Sequence, residues 1–482
     1  MSGSSSAPSY EELLVKLAER DALIVVLTAR VETLSGRVAE LELRLGKNSQ
    51  NSSKPPSTDA FVKPPPRSLR RPSGRRPGKQ TGDGGARLEP AVVPDEVVIH
   101  EASACCSCGL GLHDAPVVGR RSRQVFDLPP VRLKVTEHRV VERLCSCGQV
   151  NAPAFPDHVT AMTCYGPRVA AVGTYLMTRH HVPVARTSEL MAQMLGAPVS
   201  TGWLSGLAAR AAKRLEPFTD HATAALRSAD VAHFDETGAR VAGKLAWVHV
   251  ACNDRFTRLH LARSRGRDSI GAGNILGAGF AGVAVHDGLN AYHGWGVDHG
   301  LCGAHHLREL AGIAELTGHG WPTNLADLLV ELHVAVGKAK ARGKTELSTR
   351  TLGRYRRRYR ALLVEGMNLH PAPPPTRKQG RPRLGLPRAL LRRLDLHQDD
   401  VLRFAYDFNV PFDNNQAERD VRMVKLQQKI SGCWRTTTGA EAFLDIRSYL
   451  ATAAKHHRDA LDVLGELFTT GPWIPTPACP TP

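Results

Sequence analysis

The sequence predicts a multi-domain α/β protein, with a sheet-containing core broken by a helical stretch and preceded by smaller modules. Three observations carry this. Four short apolar runs, Val231–Thr237, Leu245–Cys252, Thr257–Ala262 and Phe280–His286, lie between long stretches of helical periodicity. Before residue 160 the texture changes from leucine heptads, to a proline- and arginine-rich run, to closely spaced cysteines. The 482 residues are enough for about two to four domains with a sizeable core. A formal net charge of +17 points to a polyanionic partner. An aromatic content of 5% argues against a base-stacking platform for single strands. No apolar run reaches the roughly 18 residues of a membrane span, and no signal-peptide pattern opens the chain. The ten cysteines, several in close pairs, read as metal ligands before disulfides.

From Glu11 to Leu45 there is no proline. Leu17, Ile24, Leu27, Val31, Leu34, Val38, Leu41 and Leu45 recur with a/d heptad spacing. The seam predicts a coiled-coil helix over residues 10–46 and a homo-oligomer built through it. The alternative is an amphipathic helix packed on its own chain. Residues 47–87 break all periodicity. Between Lys54 and Lys79 stand eight Lys/Arg, among them Arg70, Arg71, Arg75 and Arg76, against the one acid Asp59, with seven prolines. That predicts a disordered cationic arm on DNA phosphates, a solvated linker, or both.

Residues 88–158 read as a small β-rich module, with alternating strands at Ala91–Ile99 and Arg132–Arg143. Cys105 and Cys108 form a C-x-x-C; Cys145 and Cys147 form a C-x-C about forty residues later. Two knuckles supplying four thiolates are the ligand set of structural Zn²⁺. The second knuckle is one residue short, so Cys106 or His113 can substitute, or the ligands have degenerated. Residues 160–216 read as three helices: Pro167–His180, Ala185–Leu195, and one capped by Ser200 or Thr201 that runs to Leu215. The last two, joined across Gly196-Ala197-Pro198, match a DNA-binding helix-turn-helix in length, a geometry that other helical bundles share.

At Ser228 the strands begin. The first three runs predict a meander, the first ending in acids at Asp235, and the fourth run ends at Asp287-Gly288. Cys302 to Arg308 opens a helix, residues 322–369 are helical and basic, and residues 371–383 form a proline- and arginine-rich loop. Helices at Pro387–Leu394 and Asp399–Tyr406 lead to the Asp407–Arg435 stretch. There Asp413-Asn414-Asn415 predicts a helix cap, with Asp413 and Gln416 at capping-box spacing. The helix then holds Glu418 in its first turn and presents Arg422 and Lys425 as phosphate contacts. Glu418 and Arg422 can equally form a plain surface pair, being four residues apart. Ala440–Phe468 reads as one or two helices before a proline-rich tail.

Three acids thus stand in comparable places: Asp235 and Asp287 at strand ends, Glu418 at a helix start. In a ribonuclease H-like layer the first and fourth strands are neighbours, which brings Asp235 and Asp287 together. Adjacent carboxylates repel unless a divalent cation neutralises them, and hard oxygen donors suit Mg²⁺ or Mn²⁺. Such ions activate a water or a 3′-hydroxyl against a phosphodiester.

HFDETG (233–238), AVHDGLNAYHG (284–294), the C-x-x-H-H-L-R run (302–308) and PFDNNQAERDVRMVKLQQKISGCWR (411–435) resemble the insertion sequence 66 family of bacterial transposases. LGKNSQNSSKPPSTD (45–59), the arm near Gly78-Lys79-Gln80, the cysteine module and the helix-turn-helix are similar to that family too. The resemblance implies a DDE transposase with a ribonuclease H-like core over 228–436, a helical insertion at about 311–400, and C-terminal helices and tail over 437–482. It matches Asp235, Asp287 and Glu418 to the catalytic, metal-holding acids. Asn414 and Asn415 would fix the start of the helix carrying Glu418, or only cap it. His305 and Arg308 would lie near the bound phosphate, or be structural. The implied partners are double-stranded DNA, as element ends and as target, and companion proteins of the same element, in a bacterial cytoplasm. Two departures stand out: Gly82-Asp83-Gly84-Gly85 where members often carry Gly-His-x-Gly, and C-x-C in the second knuckle. They bear on zinc and on the arm, not on the acids. The competing classes are a non-enzymatic DNA-binding remnant and a nuclease that cuts without joining.

Overall fold

A computed structural model describes residues 9–46, 88–372 and 384–476. The basic arm with Arg70, Arg71, Arg75 and Arg76, and most of the 371–383 loop, lie outside the described residues. The leading helix α1 spans Tyr10–Gly46, as the heptads predict. Its seam residues from Leu17 to Leu41 are exposed.

The cysteine module departs from expectation. Over Ala91–Ile99 no strand forms, and of the second expected strand only Arg143 joins one, in the short pair β1 (Arg143–Leu144) and β2 (Val150–Asn151). An alternating pattern becomes a strand only when a partner and a covered face are available. Here Val92, Val93, Val97, Val98 and Ile99 are all exposed. Ala91 is held instead by the Gln124 side chain, which bonds both its N–H and its carbonyl.

Helices α2 (Pro167–Thr178), α3 (Val184–Leu195) and α4 (Thr201–Arg214) follow the predicted order. Left-handed Gly196 ends α3, and the Ser200 hydroxyl accepts from Trp203 N–H to cap α4. Helix α5 (Glu216–Arg227) was not anticipated. The buried Met191, Leu204 and Leu207 share one core with Tyr449, Leu464 and Leu467 near the C-terminus.

The sheet comprises β3 (Val231–Val241), β4 (Lys244–Cys252), β5 (Thr257–Ala262), β6 (Val283–His286) and β7 (Asp298–Leu301), with helix α6 (Arg267–Gly271) between β5 and β6. Its order is β5-β4-β3-β6-β7: an antiparallel meander, with β6 parallel to β3 and β7 parallel to β6. Strand β7 has no expected counterpart; His299-Gly300 gives it little β propensity, but both residues are buried. Strand β3 runs past the acids to Val241, so Asp235 is not at a strand end.

After β7 come α7 (Gly303–Thr317), α8 (Trp321–Lys340), α9 (Thr349–Leu369), α10 (Leu386–Leu396), α11 (Gln398–Val401) and α12 (Arg403–Tyr406). They enclose a second core around Trp321, Leu325, Tyr359 and Leu391. The chain returns through α13 (Asn415–Ser431), α14 (Thr437–Lys455) and α15 (Ala460–Thr469). Ala417, Val421 and Val424 of α13 pack on Ala239, Val248 and Val250 of β3 and β4. Among the described residues no helix is long and apolar enough to cross a membrane.

Candidate active site

The parallel ladder between β3 and β6 pairs Val231 with Val283, Ala232 with Ala284 and His233 with Val285. Two residues beyond the last pair, the same register reaches Asp235 on one strand and Asp287 on the other. The sheet therefore sets the two carboxylates level, side by side, where β6 stops and β3 continues. The turn after β6 is tightly made. Leu289 N–H donates to Asp287 Oδ1 at 2.9 Å, and Gly288 N–H donates to His286 Nδ1 at 3.0 Å. That leaves the His286 proton on Nε2, 3.1 Å from His299 Nδ1 on β7. This relay spends the ring nitrogens of His286 and His299 on scaffolding, although they and His293 lie close enough to suggest ligands, as do His293, His397 and Asp400.

Alternation along β3 puts Asp235 on the face of His233 and Glu236 on the face of Phe234. On the first face, Asn414 is 1% exposed and ties the start of α13 to β3. Its Nδ2 donates to Phe234 O at 2.8 Å, and its Oδ1 lies 2.8 Å from His233 Nδ1, which must then donate. Its own N–H reaches Cys302 Sγ at 3.2 Å. The predicted capping box does not form. Asp413 Oδ1 accepts from Asn415 N–H at 3.1 Å, and Gln416 turns away to the carbonyl of Asn253. A half-buried carbonyl there outcompetes a solvent-exposed cap. Asn414 thus secures the helix start through the sheet, while exposed Asn415 contributes only its backbone.

The helix so held carries Glu418 to the same place. Its Oε2 is 3.0 Å from Arg422, and its Oε1 lies 3.5 Å from Arg308 and 3.8 Å from His305 Nδ1. The i,i+4 pair exists, but it is one side of a larger cluster in which Glu418 is mostly buried. Lys425 faces inward instead, donating to the carbonyl of Gly238 on β3.

The electrostatics mark these acids as one group. Burial, then Glu236, then Asp287, with a smaller push from Glu418, hold the Asp235 carboxyl well above the usual carboxylate range. Glu236, which the sequence reading passed over, is raised to about 7 by burial and by Asp287, against a 2.9 Å hydrogen bond from Tyr292. Its position directly after Asp235 was the available signal. Burial and Arg308 depress His305 to about 4, so it is a neutral imidazole. Among the described residues neither Asp235 nor Asp287 has a Lys, Arg or His within ion-pair reach. Adjacent half-buried carboxylates without a cationic side chain suit a hard divalent cation. Cys302, His305 and Glu418 also converge, but burial pushes the Cys302 thiol up to about 12, which leaves it a poor thiolate donor.

The cysteines form two separate turns. Cys105 N–H bonds Leu110 O, and left-handed Gly109 closes back on Cys105 O; Cys145, Gly148 and Gln149 repeat the pattern. Backbone N–H groups of Cys108 and Ser107 lower the Cys105 thiol, and that of Cys147 lowers Cys145. Each pair is internally close, yet among the described residues no three converging ligand atoms include Cys105, Cys108, Cys145 or Cys147.

A family model described as "Transposase IS66 family" matches residues 162–442, a span that holds the sheet, the helical stretch and all three acids. A second model, described as a family of unknown function (DUF6444), matches residues 5–89. No curated protein matches the chain.

Proposed function

The chain belongs to the IS66 transposase family, matched over more than half its length, and from that premise we propose that it is a DDE-type DNA transposase built on a ribonuclease H-like core. The strand order, with the first strand of the sheet beside the fourth, supports that core. One observation carries the reading: the β3–β6 register that levels Asp235 with Asp287. These two, with Glu418 delivered by α13, would hold Mg²⁺ or Mn²⁺. When bound, the metal supplies charge neutralisation at the phosphate and a more acidic attacking water or 3′-hydroxyl.

The chain's own residues do the rest. Asn414 sets the angle at which α13 presents Glu418. Arg308 and Arg422, which pair with Glu418, would bind a phosphate oxygen beside that carboxylate. Hydrolysis at an element end would free a 3′-hydroxyl, which then attacks target DNA without a covalent protein intermediate. Helices α3 and α4 would read the terminal inverted repeats as a helix-turn-helix. Two copies joined through α1 would pair the ends, the cysteine knuckles would take Zn²⁺, and companion proteins of the element would assist.

The test is strand cleavage and joining of end DNA with Mg²⁺, comparing the unaltered protein with Asp287→Ala. Cleavage by the unaltered protein alone is expected. Equal cleavage by both would remove the role given to Asp287. Binding without cleavage by either would leave a DNA-binding remnant, and cutting without joining a nuclease.

A further inference from the structure

From Lys338 at the end of α8 to Arg360 within α9, the chain carries ten Lys/Arg and one acid, Glu346. Three of the ten are engaged within the helical bundle. Arg356 pairs with Asp399 at 3.0 Å, Arg358 with Glu331 at 2.8 Å, and Arg360 bonds the Gln398 amide at 2.9 Å. The other seven form no ion pair among the described residues; of these, Lys340 lies over the Phe408 ring, and Arg354 lies over Tyr355, near enough to Glu331 to help lower its carboxyl.

Arg350, Arg354 and Arg357 are exposed and recur at i, i+4 and i+7, which places them along one stripe of α9. Lys338 and Lys340 sit in the last turn of α8, where the helix dipole favours cations. Arg350 sits in the first turn of α9, where the dipole opposes it and no acid offsets it. Stability of the isolated chain does not account for that placement. A polyanion laid along the stripe does, and forked guanidinium groups on a rigid helix suit phosphate oxygens.

The stripe also connects to the acids. Within α8, His333 stacks on Phe412 at 4.5 Å between ring centroids, one residue before the Asp413 turn that starts α13. Helix α8 therefore runs from the segment presenting Glu418 to the cationic end. We propose that this face of the helical insertion is a docking surface for the phosphate backbone of double-stranded DNA, carrying the duplex outward from the carboxylate site. The proposal rests on the reading of the chain as a DNA transposase, and adds a contact surface apart from the basic arm, the helix-turn-helix and α13.

The experiment uses the full chain and a random-sequence duplex, with affinity measured across a salt series. The variant Arg350→Gln/Arg354→Gln/Arg357→Gln is expected to bind more weakly. Its slope of log affinity against log salt should be shallower by about 2 to 3, since each phosphate contact contributes roughly 0.9. Should that variant melt early, Arg342→Gln/Lys344→Gln in the connecting turn tests the same face, with a proportionately smaller change in slope. A photocrosslinking amino acid placed at Arg350 should also capture the duplex. Unchanged slopes in a folded variant, or no crosslink at Arg350, would overturn the proposal. The Asp287→Ala variant should keep the full slope. A protein that never cleaves but loses slope in the arginine variant would retain this surface while the catalytic reading falls.

Discussion

Two pairs of motifs in this chain look alike in sequence and behave differently in space. Asp235 and Asp287 stand 52 residues apart, and the two cysteine knuckles about forty. The acids ride on neighbouring strands of one ladder, so each paired residue before them constrains where they arrive. The cysteines ride on turns that are each closed by their own hydrogen bonds, with no ladder joining one turn to the other. Local bonds settle local geometry. Distant groups converge when a cooperative element transmits register between them.

The largest effect expected from breaking the acid side is catalytic. Asp235→Asn should lower end cleavage at least about 10³-fold, some 4 kcal/mol of transition-state stabilisation. The same variant should melt higher than the unaltered protein in metal-free buffer, because it removes a buried carboxylate repelled by its neighbours. A lower melting temperature would contradict the electrostatic account of the site.

Glycine substitutions sharpen the contrast. A Cβ on Gly282, just before β6, would collide with the backbone carbonyls of Ala229 and Asp230, which cannot yield without parting β6 from β3. Gly282→Ala should cost about 3 kcal/mol in urea melts and cleavage with it. Gly148→Ala in the second knuckle meets nothing within 4 Å and suffers only from its left-handed backbone, φ 85°. About 1 kcal/mol, confined to the module, is expected there.

Asn414→Ala removes the partner of both His233 and the Phe234 carbonyl, leaving two buried polar groups unsatisfied. A loss of about 2 kcal/mol is expected. Cleavage should fall further than that loss of folded protein explains, as α13 loses its anchor.

A gentler effect, spread over several residues, is a pH dependence. Burial, chiefly, holds His181, His260 and His293 down to about 4. Their folded values lie below the unfolded value near 6.5, so unfolding takes up protons. This contribution is complete above about pH 6.5 and is lost as pH falls from there towards 4. On the order of 1 kcal/mol per histidine is expected after solvent screening. His260→Gln should therefore lose less stability than the unaltered protein as pH falls from 7 to 5, while Asp235 and Glu236, held up in the fold, act in the opposite sense in both proteins. An equal change of urea midpoint in the two would show the His260 ring to be better solvated than its burial implies.

Much of the fold was legible in the residues. The heptads marked α1, the Gly196 turn separated α3 from α4, and the apolar runs located β4 and β5 within a residue of their bounds. Elements were missed where tertiary burial overrode local preference. Strand β7 contains His299 and Gly300 but is covered on both sides. The opposite error fell at Ala91–Ile99, where strand-like alternation found nothing to pair with. At the candidate site, acid type and spacing singled out Asp235, Asp287 and Glu418, which the structure brings near one another. Glu236 and the bond between Asn414 and His233 were not visible, because 181 residues separate the latter pair.

By itself the sequence determined the chemistry on offer: carboxylates bracketed by apolar runs, cations in surplus, and cysteines in pairs. Those follow from side-chain identity and short-range periodicity, which any segment carries with it. Only the tertiary structure decided which groups meet. It set Asp287 level with Asp235, turned Lys425 inward and left Arg350, Arg354 and Arg357 facing solvent. Convergence depends on ladder register and on competition for buried space, and neither is a property of one segment alone.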